Sequence, residues 1–152
     1  MSADPGDLLA RLPHRPPMRL VEQIVEIVPG HRACATRVAR PDDWYFAGHF
    51  PANPVVPAIA LVELLAQTGG LAIELPPNSV TKTLRLASLN DFKFPSAAGP
   101  GVLLQATAQV VGRLGALIKI AGSVTADGRL VATGSLMLAE VASPESAGRD
   151  RA

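Results

Sequence analysis

Cysteine is almost absent from this 152-residue sequence, which contains only Cys34. A single cysteine excludes an intrachain disulfide and every metal motif that needs two cysteines. Charge of one sign is also lacking, since the formal net charge is +1. With no basic surplus, the sequence gives no indication of a nucleic-acid partner. The low cysteine content fits a reducing compartment.

We expect no targeting segment, and the sequence contains no long apolar run. Residues 1–12 are acidic and are interrupted by a proline and a glycine, unlike the basic start and apolar middle of a signal peptide. Glu63, Gln67 and Glu74 interrupt the most apolar stretch, so no membrane span is predicted. We therefore expect a cytoplasmic protein without a membrane partner.

What the sequence does contain is typical of one globular domain. Apolar residues make up 48% of the chain, which is enough to form a sizeable core. We predict a single domain over residues 1–142. Residues 143–152 are polar, and we expect them to form a disordered tail.

The hydrophobic pattern predicts one long helix and about six mostly antiparallel strands. The helix should begin near Pro57 and end near Glu74, because Pro76-Pro77 stops it. Its surface is apolar on nearly all sides, so it should be buried within a curved sheet, or between a sheet and a partner subunit.

The predicted strands are Met18–Val28, Arg32–Ala39, Thr83–Phe94 with a bulge near Ser88 to Asn90, Val102–Val111, Leu117–Val124 and Leu130–Val141. Hairpin turns are expected at Pro29-Gly30, Gly112–Gly115 and Asp127-Gly128. A short helix is expected within Asp7–Leu12.

The most informative run is a proline-rich loop that leads into the apolar helix. The loop, residues 48–57, carries His49, and the helix carries Glu63. Apolar segments rarely contain a lone acid unless it is paired or used chemically, and an imidazole beside a carboxylate can transfer protons. From the residues alone, two other interpretations stay open. Glu63 is a structural acid paired with an arginine, or His49 is a loop histidine without a catalytic role.

This run resembles the signature of the (3R)-hydroxyacyl-acyl carrier protein dehydratases of fatty acid synthesis. The resemblance extends from about residue 12 to residue 141, most of the chain. The central motifs are Gly48-His49-Phe50-Pro51, Pro54-Val55-x-Pro57 and Glu63-x-x-Ala66-Gln67. The outer ones are Leu12-Pro13-His14-Arg15, Asp91-Phe92-Lys93-Phe94, Pro100-Gly101 and the segment from Gly128 to Met137.

The resemblance implies an α+β hot-dog fold, in which a curved antiparallel sheet wraps around one central helix. It also implies a homodimer, in some members a trimer of dimers, that acts on acyl groups carried by acyl carrier protein. His49 of one chain would then face Glu63 of the other. Related dehydratase-isomerases have aspartate at the position of Glu63, so glutamate favours the dehydratase-only type. No metal or organic cofactor is implied.

The resemblance further implies a role for each residue of the run. His49 would act as the base and Glu63 as the acid that protonates the leaving hydroxyl. The amide of Ala58, at the positive end of the helix, would polarise the thioester carbonyl. We expect the dry helix to raise the pKa of Glu63, and Gln67, at position i+4, to orient it. Gly48, Phe50 and Pro57 are expected to support the site.

The chain departs from the usual family pattern at two kinds of position. Family members commonly have glycine where this chain has Ala52 and Ala58. Alanine keeps the amide at position 58 but adds a methyl group where substrate passes. The segment Trp44-Tyr45-Phe46 is also bulkier than usual, and it either gates the acyl channel or covers the helix.

Other polar residues are assigned to structure or surface. We expect His14 and Arg15 to be structural, with Arg15 fixing the loop before the first strand. His31 follows a turn and should be exposed, while Cys34 should pack in the core. The basic residues that could contact an acidic carrier protein are Lys82, Arg85, Lys93 and Arg113, although scattered charges usually only face solvent.

Two alternative functions stay open at this point. In a hot-dog thioesterase, the acid would activate water at the thioester carbonyl. A catalytically idle hot-dog subunit would instead bind acyl chains or complete the site of a partner.

Overall fold

The computed structural model describes residues 5–73 and 82–142. Within these ranges lie a short helix, a main helix, a 3-10 turn at Trp44–Phe46 and six strands. The helices are α1 (Pro5–Ala10) and α2 (Ala58–Ala72). The strands are β1 (Gln23–Val28), β2 (Arg32–Val38), β3 (Lys82–Lys93), β4 (Leu103–Leu114), β5 (Leu117–Ala126) and β6 (Arg129–Ala142).

The six strands form one antiparallel sheet in the order β1-β2-β4-β5-β6-β3. Sequential hairpins join β1 to β2, β4 to β5 and β5 to β6, while β3 occupies one edge beside β6. The β5–β6 turn shows how sequence sets this topology. Asp127 and Gly128 have φ values of 47° and 85°, the left-handed pair that a two-residue hairpin turn requires. The predicted α+β class and antiparallel sheet are confirmed.

Helix α2 packs mainly against β4 and β2, with further contacts to β5 and β6. Leu64, Leu65 and Leu71 are at most 2% exposed, so the predicted burial of this helix is confirmed. Its first turn differs, since Ile59 is 72% exposed. The predicted end at Glu74 and the proline pair after it lie outside the described residues, as does the predicted tail at 143–152.

Three strand details differ from or match the sequence predictions. The first strand begins at Gln23 rather than Met18, because the amides of Leu20 and Val21 donate to a side chain of α2. The next amide, that of Glu22, already donates to the carbonyl of Thr36 on β2. The hairpin predicted from Gly112 falls later, at residues 115–116, since β4 continues to Leu114. The β3–β6 register shifts between Leu86 and Ser88, which confirms the predicted irregularity. Cys34 is buried and His31 exposed, as predicted.

Gly122 on β5 allows α2 to approach the sheet closely. A methyl group at this position would overlap the carbonyl oxygen of Thr107 and lie 2.8 Å from Leu65 Cδ1. Because one neighbour is the backbone of β4, the strands themselves would have to shift. Gly122→Ala is therefore expected to lower the free energy of unfolding by about 2–3 kcal/mol, measured by denaturant titration.

The matched control for this prediction is Gly112→Ala on β4. A methyl group at Gly112 would have no heavy atom within 4 Å, so its unfolding midpoint should stay near that of the unchanged protein. Equal effects of the two substitutions would contradict the close-approach argument.

Neither helix in the described part of the chain has the length and apolar character needed to cross a membrane.

Candidate active site

The first turn of α2 presents two backbone amides that donate no hydrogen bond to the described part of the chain. Pro57 is the N-cap residue and provides no side-chain cap. The amides of Ala60 and Leu61 donate to the carbonyl of Pro57 at 3.0 and 3.3 Å. In residues 5–73 and 82–142, those of Ala58 and Ile59 donate no hydrogen bond. Two amides at the positive end of a helix can therefore bind a developing oxyanion.

Glu63 lies on α2 just over one turn beyond these amides, with its side chain 27% exposed. Its Oε1 atom accepts a hydrogen bond of 2.9 Å from Gln67 Nε2. His14 Nε2 lies 3.4 Å from the same oxygen. The predicted i+4 pairing of Glu63 with Gln67 is therefore confirmed, and His14 is a partner that the sequence analysis assigned to structure.

The pKa of Glu63 is lowered from its ordinary value, first because of the hydrogen bond with His14. Burial acts in the opposite direction, and the hydrogen bond from Gln67 lowers the pKa further. The expectation of a raised pKa is thus wrong for the single chain. The expectation assumed that only apolar groups surround Glu63 on α2, whereas His14 and Gln67 stabilise its carboxylate.

Gln67 connects the acid to the segment that precedes β1. It is 2% exposed, and its Oε1 accepts a hydrogen bond from the amide of Leu20 at 2.9 Å. Its Nε2 donates to the carbonyl of Met18 at 2.8 Å as well as to Glu63. The side chain of Gln67 thereby takes the backbone bonds that a neighbouring strand would make with Met18 and Leu20, so regular pairing with β2 begins only at Gln23.

His49 lies in the loop before α2 with its ring fixed from one side. Its Nδ1 is 3.1 Å from the carbonyl oxygen of Val55, which can only accept, so we assign the Nδ1 proton to this bond. The amide of Val55 donates in return to the carbonyl of His49 at 3.0 Å. Nε2 is then left as the basic atom of the neutral ring.

The residues on either side of His49 shape this loop. Gly48 has a φ of +79°, a conformation that favours glycine. The ring of Phe50 stacks on the His49 ring at a centroid distance of 4.4 Å and is 57% exposed. Within the described part of the chain, no hydrogen bond or ion pair joins His49 to Glu63.

The aromatic segment divides between core and surface. Tyr45 and Phe46 are buried in the hydrophobic core that also contains the core side chains of α2. Trp44 is 42% exposed, and its Nε1 donates to the carbonyl of Pro17 at 2.9 Å. It therefore ties the 3-10 turn to the segment that carries His14.

Tyr45 also anchors the turn through polar contacts. Its hydroxyl donates to Asp43 Oδ2 at 2.6 Å, and Arg37 Nη2 donates to Asp43 Oδ1 at 2.7 Å. Arg37 Nη1 reaches the carbonyl of Leu20 at 3.2 Å. This Arg37–Asp43–Tyr45 cluster thus holds the turn before the His49 loop beside the segment that Gln67 binds.

The cluster predicts a measurable titration, because Tyr45 is the only tyrosine. Burial, aided by the bond to Asp43, raises its pKa from 10.0 to about 12. Since the folded state favours the protonated phenol, its contribution to stability is present below pH 10 and is lost as the pH rises towards about 12. Ultraviolet titration should show phenolate only well above pH 10 in the folded protein, but near pH 10 in denaturant. Ionisation near pH 10 in both states would contradict this.

A cavity of about 590 Å³ lies on the sheet away from these residues. Thr107 and Gln109 line it and flank the fully buried Ala108 on β4. Because side chains alternate along a strand, the cavity opens on the face opposite α2. It is separate from the candidate site.

The comparison with protein-family models decides the family. The model for FabA-like domains matches residues 12–135. The chain belongs to the FabA-like domain family. A curated relative from Herpetosiphon aurantiacus, named 3-hydroxyacyl-[acyl-carrier-protein] dehydratase FabZ, is 39% identical over 135 residues, covering 89% of this chain and 96% of that protein. A protein of the same name from Roseiflexus castenholzii is 34% identical, over 88% of this chain and 93% of its own length.

Solved structures place this FabA-like chain among hot-dog folds. A chain of the dehydratase heterocomplex ApeI:P from Xenorhabdus doucetiae matches with a TM-score of 0.75 and 16% identity, covering 99% of this chain and 100% of that one. TTHA0967 from Thermus thermophilus, a thioesterase superfamily member, gives a TM-score of 0.65 at 17% identity, over 84% of this chain and 93% of its own. At these identities the likeness shows the fold alone.

Proposed function

We propose that this FabA-like protein removes water from 3-hydroxyacyl-acyl carrier protein to give trans-2-enoyl-acyl carrier protein, in fatty acid or related acyl-chain synthesis. The observation that carries the proposal is the arrangement on α2, where two amides with no acceptor among the described residues precede an anchored carboxyl group. The names of the FabZ relatives, which are 34% and 39% identical to this chain, support it, and glutamate at position 63 favours dehydration without isomerisation.

The reaction starts at the carbon beside the thioester. His49 Nε2 takes the α-proton, and the negative charge moves onto the thioester oxygen. The amide of Ala58 donates to that oxygen, where the dipole of α2 adds to the stabilisation. Because Nδ1 of His49 is bonded to the carbonyl of Val55, the basic lone pair of the neutral ring lies on Nε2.

Loss of the hydroxyl completes the reaction. The charge returns to form the carbon–carbon double bond, the carbon–oxygen bond breaks, and a proton from Glu63 turns the hydroxyl into water. His49 ends with one extra proton and Glu63 with one fewer, and transfer of that proton restores both groups. In the single chain the Glu63 carboxylate is favoured, and covering it with substrate raises its pKa because burial disfavours the charged form.

The site is completed by a second copy of the chain. Within the described part of one chain, no hydrogen bond or ion pair joins His49 to Glu63, and Phe50 and Ile59 are 57% and 72% exposed. Strand β3 has twelve residues and lies at an edge of the sheet, where an uncovered strand is a site for pairing. A homodimer in which His49 faces Glu63 of the partner accounts for all three features, and such dimers can assemble further into a trimer of dimers.

The test of the proposal uses 3-hydroxyacyl-carrier and crotonyl-carrier thioesters. We expect reversible loss and addition of water, followed by absorbance of the enoyl thioester, with no release of free thiol. Thiol release without hydration would identify a thioesterase. Acyl binding with neither reaction would identify an idle subunit.

A further inference from the structure

The two oxygens of the Glu63 carboxyl group have different surroundings. His14 and Gln67 both approach Oε1, at 3.4 and 2.9 Å. From residues 5–73 and 82–142, no hydrogen bond or ion pair reaches Oε2. A carboxyl group held by one oxygen cannot rotate freely, so its other oxygen has a defined direction.

The ring of His14 has a matching asymmetry. Nε2 faces the carboxyl oxygen, whereas Nδ1 is buried and has no hydrogen-bond partner among the described residues. A buried N–H without an acceptor costs free energy, so we assign the ring proton to Nε2 and a lone pair to Nδ1. In this tautomer His14 donates to Oε1.

The loop that carries His14 is itself fixed. Arg15 Nη1 donates to the carbonyls of Leu12 and His14 at 2.7 and 2.8 Å, which confirms the structural role predicted for Arg15. Met18 follows four residues after His14, and its carbonyl accepts a hydrogen bond from Gln67 Nε2. The ring of His14 is therefore held on a backbone that is tied down on both sides.

We propose that His14 is a positioning residue which, together with Gln67, holds Oε1 of Glu63 and so makes Oε2 the oxygen that gives its proton to the leaving hydroxyl. The inference rests on the proposed function. An oxygen that accepts two hydrogen bonds is a poor place for a proton, so the proton of the neutral acid must lie on Oε2. His14 thus determines where the acid proton is, although it does not touch the substrate.

The test compares two substitutions of His14. His14→Leu removes the donor, whereas His14→Gln keeps an amide donor near the position of Nε2. His31→Leu is the control, because His31 is an exposed histidine on the β1–β2 turn. Carbon-13 NMR of the glutamate carboxyl groups, assigned with Glu63→Gln, reports the pKa of Glu63 without any need for activity. His14 and Gln67 are the groups of the described chain that act on this carboxyl.

We expect His14→Leu to raise the pKa of Glu63 and to lower kcat by about 10-fold to 100-fold with little change in KM. His14→Gln should keep both the pKa of Glu63 and kcat close to their values in the unchanged protein. A raised pKa with normal kcat would overturn the positioning role, and a lower kcat with an unchanged pKa would show that His14 does not act through Glu63. If His14→Leu unfolds, failure of His14→Gln to retain the pKa and kcat of the unchanged protein overturns the proposal. If the unchanged protein has no dehydratase activity, the proposed function fails, while the titration still reports the contact.

Discussion

Glu63→Gln is expected to lower the rate of dehydration by about 1,000-fold, within the range for loss of a general acid. Glutamine keeps the size of the side chain and an oxygen that can accept from His14 and Gln67. It has no acidic proton to give to the departing hydroxyl. The measurement is kcat for 3-hydroxyacyl-carrier thioester, together with thermal unfolding to show that the fold is retained.

The control for this substitution is Glu26→Gln. Glu26 is an exposed acid on β1 that pairs with Arg32 at 2.8 Å, so kcat should be unaffected. Near-normal turnover by Glu63→Gln would remove the acid role. An unfolded Glu63→Gln protein would indicate that the carboxyl group is structural.

His49→Ala is expected to cause a loss of similar size, about 100-fold to 10,000-fold in kcat, because no other described group would remove the α-proton. His31→Ala is the matched control, as a histidine exposed at a turn. Turnover by His49→Ala close to that of the unchanged protein would exclude His49 from the mechanism.

Mixing the two inactive proteins tests whether the site is shared. If His49 of one chain serves Glu63 of the other, random exchange gives mixed dimers with one intact site. The activity per subunit should then recover to about one quarter of that of the unchanged protein. If both residues act within one chain, mixing should restore nothing. Co-expression with two different affinity tags allows the mixed dimer to be isolated and assayed alone.

Local patterns in the sequence were enough to predict the sheet and the buried helix. Alternation along β4 and β5, and the Asp127-Gly128 pair, set the hairpins without any long-range information. The start of α2 followed from Pro57, whose fixed backbone suits a helix terminus. The strand boundary at Gln23 could not be predicted, because it depends on a side chain 47 residues away from Leu20.

The same limit applies to the candidate site. Glu63 and Gln67 are four residues apart on one helix, so their pairing could be predicted from helical geometry. His14 and Glu63 are brought together only by the fold, and no spacing in the sequence joins them. The predicted pKa of Glu63 was wrong for that reason, since the residue that lowers it most lies on a distant loop.

The bonds of Gln67 have a consequence for the evolution of the core. A helix that is apolar on all sides gains about equally from packing in several rotations about its axis, so hydrophobic contact alone gives it a weak angular preference. The side-chain amide of Gln67, bonded to Leu20 and Met18, fixes the rotation of α2 about its axis. This rotation also fixes the direction in which Glu63, one turn earlier, points. Volume-conserving changes among the apolar side chains of α2 should therefore leave the direction of the Glu63 carboxyl group unchanged.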